Sequence, residues 1–300
     1  MRILVLGSTG YLGAHVAQRL RALPGARVLV GGRSPAADVD ADLARVRPER
    51  LAKALASAAP DTVVNCAGAT GGDAVTLAEV NARGPAALCA ALREAAPAAR
   101  LVHLGSAAEY GPGTPDMPVP ESAATRPVGP YGATKLAGTV AVTASGLDAV
   151  VLRVGNPVGP GAPSTGLPGR IAALLREAGP DPEAVLRLGD LSAHRDFVDV
   201  RDVARAVVLA ATAPGPLPPV LNVGGGRAVP VRDLVGGLAG LAGFRGRIEE
   251  GAASPAGSAR SAQVSWQCSD ISAAEEALGW RPAHSLDDAL AALWEGGGTP

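Results

Sequence analysis

An unbroken apolar run, Ile3-Leu4-Val5-Leu6, leads directly into Gly7-Ser8-Thr9-Gly10-Tyr11-Leu12-Gly13 near the beginning of the chain. So short a run, with no polar alternation, fits a strand buried on both faces. Beyond it, Val16, Leu20 and Leu23 recur on one face of a helical segment from Ala14 to Leu23. Glycines at such a junction permit a tight turn. They also leave the first helical N–H groups open to an anion such as the pyrophosphate of a dinucleotide. With 39 glycines in the chain the spacing alone says little; its placement between strand and helix carries the signal.

The alternation persists. Val28-Leu29-Val30, Thr62-Val63-Val64, Leu101-Val102-His103-Leu104 and Val150-Val151-Leu152 read as further buried strands, with helical segments between them. Strands alternating with helices connect by right-handed crossovers into a parallel sheet, whose ligands bind beyond the carboxyl ends of the strands. After Asn156 the texture changes. Gly155 to Gly169, Pro214 to Pro219 and Gly251 to Ser261 read as loops, whereas Val198 to Ala211 returns to strand and helix. The expected fold class is α/β: a Rossmann-type doubly wound parallel sheet (residues 1–155 and 198–226) with a smaller, discontinuous C-terminal substrate lobe (residues 156–197 and 227–300).

Basic and acidic residues number 27 and 28, a net charge of −1, which gives nucleic acid or an anionic membrane no electrostatic handle. Aromatic residues make up 3%, too few for a base-stacking surface. Cys66, Cys89 and Cys268 are odd in number and lack paired metal-ligand spacing; they read as packed free thiols in a reducing compartment. No segment reads as a signal peptide or membrane span, so the expected location is the cytoplasm. No metal is expected. His103 falls in a buried strand and is expected to be a satisfied core residue, and His194 is a candidate for the substrate pocket wall. His15 and His284 have no partner identifiable in the sequence.

Only two of the 27 basic residues are lysines, Lys53 and Lys135, and there are three tyrosines. Chance would place a Tyr-x-x-x-Lys in such a chain about 0.02 times. Tyr131-Gly-Ala-Thr-Lys135 is one. Residues four apart on a helix share a face, and an ammonium beside a phenol favours the phenolate, bringing the tyrosine towards the range of a working proton donor or acceptor. The alternative is an incidental pair on an exposed helix, which the glycine turn argues against.

With these residues in place, the chain resembles the extended short-chain dehydrogenase/reductase family of nucleotide-sugar epimerases, dehydratases and reductases. The resemblance covers nearly the whole length. It includes Asn65-Cys66-Ala67-Gly68, Asn81-Ala82-Arg83-Gly84, Gly105-Ser106-Ala107-Ala108-Glu109-Tyr110-Gly111 and Arg153-Val154-Gly155-Asn156-Pro157. It continues through Arg195-Asp196-Phe197-Val198-Asp199-Val200-Arg201-Asp202-Val203 and Leu278-Gly279-Trp280-Arg281-Pro282. The resemblance implies that Ser106 hydrogen-bonds the reacting oxygen, Tyr131 gives or takes its proton, and Lys135 holds the nicotinamide ribose while tuning Tyr131. It further implies a dinucleotide lying along Gly7, Thr9, Gly10, Tyr11, Leu12 and Gly13, with Asp42-Leu43 beside the adenine and Cys66, Ala67 and Gly68 lining the same site. The alternative for Ser106 is a helix cap or loop serine.

Gly31-Gly32-Arg33-Ser34 follows the second strand. An acid there accepts hydrogen bonds from a ribose 2′-hydroxyl, whereas an arginine suits a 2′-phosphate; Arg33 therefore favours NADP (NADPH), with NAD possible. Dehydratases of the family carry an Asp-Glu pair where this chain has Ala107 and Ala108, which move no protons. Glu109 comes one residue late and, on a strand, would face the other way. The arrangement is instead similar to reductases of nucleotide-linked 4-keto-6-deoxysugars. That resemblance implies substrate contacts from Ser106, Ala107, Ala108 and Asn156, and a diphosphate clamp from Arg195 and Arg260. The alternatives are a loop arginine at 260 and an ion pair of Arg195 with Asp199 or Asp202. The leading expectation is hydride transfer to sugar C4 with Tyr131 as proton donor. A 4-epimerase with tightly held NAD, a reductase of a non-nucleotide carbonyl compound and a non-catalytic dinucleotide sensor remain open. Family resemblance suggests a homodimer.

Overall fold

The structure, a computed structural model, describes residues 1–251 and 264–297. Its first six strands are β1 (Arg2–Leu6), β2 (Arg27–Gly32), β3 (Val39–Asp40), β4 (Thr62–Asn65), β5 (Arg100–Ser106) and β6 (Ala149–Val154). Six more follow: β7 (Asn156–Val158), β8 (Val185–Leu188), β9 (His194–Asp199), β10 (Val220–Val223), β11 (Ala228–Pro230) and β12 (Arg247–Glu250). The helices are α1 (Tyr11–Arg21), α2 (Pro48–Ala58), α3 (Ala74–Ala78), α4 (Gly84–Ala95), α5 (Pro130–Thr143), α6 (Leu167–Ala178), α7 (Val200–Thr212), α8 (Val231–Leu241), α9 (Ser272–Leu278) and α10 (Leu286–Gly296). None of the described helices is long and apolar enough to cross a membrane.

Seven strands form a parallel sheet in the order β10-β6-β5-β4-β1-β2-β3. Side chains alternate across it, as a strand's pleat requires. Ile3 and Val5 pack with Val16 and Leu20 of α1 and Val203 and Val207 of α7. Leu4 and Leu6 pack on the other face with Leu51 and Leu55 of α2 and Leu88 and Leu92 of α4. Both faces are covered, which is why the strands read as continuous apolar runs. The chain leaves β1 towards β2 and returns on the other side through β4, so the strand order reverses between β1 and β4. Ligands of such sheets bind beyond the carboxyl ends of the strands at a reversal of this kind. Gly7 sits at this point with φ of +76°, and a Cβ on it would lie 2.7 Å from the backbone of Ala67 after β4. Only glycine fits that approach.

A three-stranded sheet of β11, β9 and β7 and a β8–β12 pair make up the smaller part of the molecule. Its core, with Val158, Ile171, Leu175, Phe197, Leu234 and Leu290, is separate from the two clusters on the large sheet. Asp199 ends β9 and caps α7, its carboxylate accepting the Arg201 N–H at 2.7 Å. Trp280 is fully buried against α7, donating its indole N–H to the Asp202 carbonyl at 2.9 Å.

The sequence expectations differ from the structure in three places. The Gly/Pro-rich stretch after Gly155 contains the short strand β7, hydrogen-bonded to β9. The strand β10 at the sheet edge is hidden in the sequence by Asn222, whose amide is satisfied by Tyr110, Val119 and Asp270. Residues 107–109 form a 3-10 turn, not a strand. Gly251 to Ser261, read as a loop, lies outside the described residues apart from Gly251.

α5, which carries Tyr131 and Lys135, lies so close to the π turn Glu79–Arg83 that a Cβ on Gly138 would sit 2.2 Å from the Asn81 carbonyl oxygen. Gly138→Ala is expected to cost about 1–3 kcal/mol by overpacking, read as a lower urea midpoint at unchanged m-value. An unaltered midpoint would contradict this seating of α5.

Candidate active site

The glycine turn is built to receive an anion. Gly10 donates its N–H to the Gly7 carbonyl at 3.1 Å, and a Cβ on Gly13 would lie 2.1 Å from that same oxygen, so the first turn of α1 is wound directly over the loop. No side chain caps the helix and no acid lies in its first turn. The N–H groups of that turn, which a helix cannot satisfy internally, carry the positive end of the helix dipole. Thr9 and Gly10 are exposed. Tyr11 turns inward, its hydroxyl 3.3 Å from the Gly159 carbonyl, while Leu12 packs against the sheet core. Burial, with the charge of Asp199, raises the Tyr11 pKa.

Arg33 is exposed just past β2, and Asp42 and Leu43 follow the neighbouring β3. Leu43 is buried, and the Asp42 carboxylate accepts the Ala44 N–H at 3.2 Å. Arg83 of the π turn braces this loop, donating to the carbonyls of Leu43, Ala44 and Val46 at 3.2, 3.0 and 2.9 Å. Two residues earlier, Asn81 binds both backbone groups of Ala69 at 2.9 Å and reaches Thr134 of α5 at 3.3 Å. A Cβ on Gly68 would touch both the Asn81 side chain and the Lys135 ammonium, at 3.4 and 3.9 Å. Cys66, Ala67 and Gly68 thus run from the glycine turn to Lys135. The Cys66 thiol is pushed up to about 12 by burial, which Lys135 opposes.

The end of β5 and the start of α5 bring the remaining residues together. Ser106 ends the strand and caps the 3-10 turn Ala107–Glu109, accepting the Ala108 N–H at 3.2 Å. The cap reading of Ser106 is met, and its hydroxyl stays at the strand's carboxyl end. A Cβ on Gly132 would lie 2.5 Å from the Ala108 carbonyl, so the first turn of α5 abuts this loop and places half-buried Tyr131 beside it. One turn on, the Lys135 side chain is 5% exposed and donates to the Leu104 carbonyl at 2.5 Å. Burial lowers the Lys135 pKa to about 8; Glu109 and Cys66 act in the opposite sense.

Behind Ser106, Glu109 is wholly buried. Its carboxylate accepts the Ser106 N–H and the Arg153 Nε–H, both at 2.8 Å. Arg153 stacks 4.5 Å over the Tyr110 ring, and the Tyr110 hydroxyl donates to Asn222 at 2.8 Å. Glu109 therefore does not reach into the crevice as a second acid, and the 3-10 turn is the reason.

The Asn156 amide donates to the Asp196 carbonyl at 3.2 Å and to Gln267 at 3.3 Å. Gln267 in turn donates to the Ala107 carbonyl at 2.9 Å, closing the wall beside Ala107 and Ala108. Sequence reasoning missed Gln267, since nothing in its local pattern marks it. Arg195 is buried and donates to the His194 carbonyl at 2.8 Å; desolvation lowers its pKa. Asp199 is paired with Arg201, and Asp202 with Arg205 and His284. Arg260 lies outside the described residues. His194 lines a cavity of about 500 Å³ with Asp116, Ser192, Ser265 and Trp266.

The other histidines have partners the sequence did not reveal. His15 donates to the Pro160 carbonyl at 2.9 Å, and His284 meets Asp202 at 3.1 Å. His103 is only half satisfied: Asn65 reaches its Nδ1 at 3.1 Å, and its Nε2 has no hydrogen-bond partner among the described residues. No group of three His, Cys, Asp or Glu among the described residues is placed to hold a metal ion.

A family model for the NAD dependent epimerase/dehydratase family matches residues 3–224. The chain belongs to this family. It is 39% identical over 305 residues to a dTDP-6-deoxy-L-talose 4-dehydrogenase (NAD(P)(+)) of Kitasatospora kifunensis, covering 98% of this chain and 94% of that protein. A UDP-glucose 4-epimerase of Streptomyces lividans is 32% identical over 232 residues, 68% of this chain and 69% of the relative. Among solved structures, MoeE5 in complex with UDP-glucuronic acid and NAD matches with a TM-score of 0.84 and 28% identity, over 99% of this chain and 98% of that one. This member of the epimerase/dehydratase family is an enzyme of the NAD(P)-dependent oxidoreductase type with a Rossmann-type sheet.

Lys135 is held charged in a place that disfavours charge. Below about pH 8 it is an ammonium in both the folded and the unfolded chain, and burial costs stability; as pH rises from 8 towards 10.5 the folded form sheds its proton first and that cost disappears. Lys135→Met is therefore expected to gain about 1–3 kcal/mol at pH 7, with the gain shrinking above pH 8. Urea unfolding at several pH values checks this, and a variant less stable at pH 7 would contradict it.

Proposed function

We propose that the enzyme is an NADP-linked 4-ketoreductase of a nucleotide diphosphate 6-deoxyhexose, Tyr131 handling the proton at the C4 oxygen. The observation that carries this reading is the assembly at the end of β5. Ser106, Tyr131 and Lys135 converge on one strand end, while Ala107 and Ala108 occupy the place where elimination chemistry needs an acid and a base. The similarity to a dTDP-6-deoxy-L-talose 4-dehydrogenase, over nearly the whole chain, supports the substrate class.

A nicotinamide dinucleotide suits the residues present: Gly7 and Gly13, where a Cβ would strike backbone, let the loop wind tightly under an uncapped helix start whose first N–H groups are open to an anion. When bound, it supplies or takes the hydride. Gly7, Thr9, Gly10, Tyr11, Leu12 and Gly13 would hold its pyrophosphate, Asp42 and Leu43 its adenine, and Arg33 a 2′-phosphate. Cys66, Ala67 and Gly68 would line its course to Lys135. Lys135 would hold the ribose and favour the Tyr131 phenolate by its charge. Ser106 would hydrogen-bond the sugar oxygen as negative charge builds on it, and Tyr131 would deliver the proton.

Residues 156–197 and 227–300 would form the substrate lobe, with Asn156 and Arg195 on the sugar diphosphate and Arg260 completing the clamp. Val75 on α3 and Val140 on α5 are 65% and 55% exposed and support a homodimer through these helices. The free thiols fit a reducing, cytoplasmic setting.

Supplying dTDP-4-keto-6-deoxyhexoses with NADPH tests the reading through loss of absorbance at the nicotinamide band. Tyr131→Phe is expected to lower turnover about 10²–10⁴-fold with little change in NADPH affinity. Retained turnover would remove the tyrosine from the chemistry. Arg33→Asp is expected to shift preference from NADPH to NADH, measured as the ratio of kcat/KM values; an unchanged ratio would exclude Arg33 as the 2′-phosphate ligand. A second reading, the 4-epimerase, draws on the similarity to UDP-glucose 4-epimerase, and its mark would be NAD retained through purification.

A further inference from the structure

Glu109 takes no part in the steps above, yet it is one of the most completely enclosed charged groups in the molecule. Three consecutive residues at the end of β5 carry the site's opposite charges. The Leu104 carbonyl accepts the Lys135 ammonium at 2.5 Å, and the Ser106 N–H donates to the Glu109 carboxylate at 2.8 Å. A Cβ on the intervening Gly105 would lie 2.8 Å from the same carboxylate oxygen, so the glycine is what allows Glu109 to fold back under the strand. The other oxygen is taken by buried Arg153 at 2.8 Å. Around this cluster stand Cys66 after β4, His103 on β5, Tyr110 beside Glu109, and Lys135 with Tyr131 on α5.

We propose that Glu109 is a positioning residue for the reaction: its carboxylate anchors the turn that presents Ser106 and balances the buried positive charge behind the catalytic pair. The proposal rests on the reading of Ser106, Tyr131 and Lys135 given above. Without the carboxylate, Lys135 would lose the nearby negative charge that supports its ammonium, and buried Arg153 its partner, which favours loss of the lysine proton. The anchoring is separate from the charge, since the Ser106 N–H needs an acceptor at that point whatever its ionisation.

The chain's two lysines make the test direct. Protein labelled with ¹³C at lysine Cε gives one resonance from Lys135 and one from exposed Lys53, an internal control. In wild type, Lys135 is expected to titrate near 8. In Glu109→Gln its midpoint should fall by about one pH unit, a tenfold loss of proton affinity, while Lys53 stays put; a Lys135 midpoint equal to wild type overturns the charge role. Glu109→Asp guards against a glutamine variant that fails to fold, since it keeps the charge but withdraws it from Ser106. It should retain the wild-type lysine titration and lose at least about tenfold in kcat for oxidation of dTDP-6-deoxy-L-talose with NADP, at unchanged KM for NADP. Full turnover in that variant overturns the anchoring role. Wild-type protein inactive on this probe would count against the functional reading, and the lysine titrations would still decide on Glu109.

Discussion

The hydrogen bond from the Lys135 ammonium to the Leu104 carbonyl ties α5 to the end of β5. The lysine is buried, so its charge needs a fixed acceptor and nearby negative charge to persist. Both come from the end of β5 and the turn that follows it. Because α5 lies almost in contact with the π turn, the lysine has little freedom to leave. A buried ammonium costs stability, and groups so perturbed cluster at functional sites.

Around that centre, charge is buried in company. Glu109 meets Arg153 and the Ser106 N–H; Asp199 meets Arg201; Asp202 meets the N–H groups of Ala283 and His284 at 2.9 Å. Asp196 accepts N–H groups of Gly225 at 2.5 Å and Ser269 at 2.9 Å, and burial raises its pKa to about 6. These bonds tie β9, the segment after β10 and the strand-like stretch near Ser269 into one frame. Within it Asn156 meets Gln267, which in turn donates to the Ala107 carbonyl next to Ser106. The positions of the frame are far apart in sequence, so this network exists only once both parts of the molecule have folded.

Much of this was legible in the sequence because local physics and tertiary outcome agree. Four of the five apolar runs are strands buried on both faces, whereas β2 is only half-buried on the face of Val28 and Val30; the turn at Gly7–Gly13 lies at the reversal of strand order, since steric contact with Ala67 allows nothing larger there. Elsewhere the outcome is set by distant partners. Asn222 breaks the apolar pattern of β10, yet it is buried, its side-chain oxygen accepting the hydroxyl of Tyr110 more than a hundred residues away. Gln267 matters through the Ala107 carbonyl, 160 residues away. The local pattern at Glu109 suggests a strand trace; the capping box with Ser106 winds the chain into a 3-10 turn and points the carboxylate inward instead. Arg83 looks like a surface arginine until the carbonyls of Leu43, Ala44 and Val46 are seen to converge on it.

The most direct test of the central claim is to follow the hydride itself. NADPH carrying deuterium at both C4 positions of the nicotinamide would be incubated with a dTDP-4-keto-6-deoxyhexose, and the sugar product examined by NMR. The expected result is one deuterium at sugar C4 for each NADPH consumed. No NADPH consumed and no deuterium at C4 with the 4-keto sugar, together with inversion at C4 when the corresponding 4-hydroxy sugar nucleotide is supplied without added cofactor, would contradict the reductase and identify an epimerase that recycles its own cofactor.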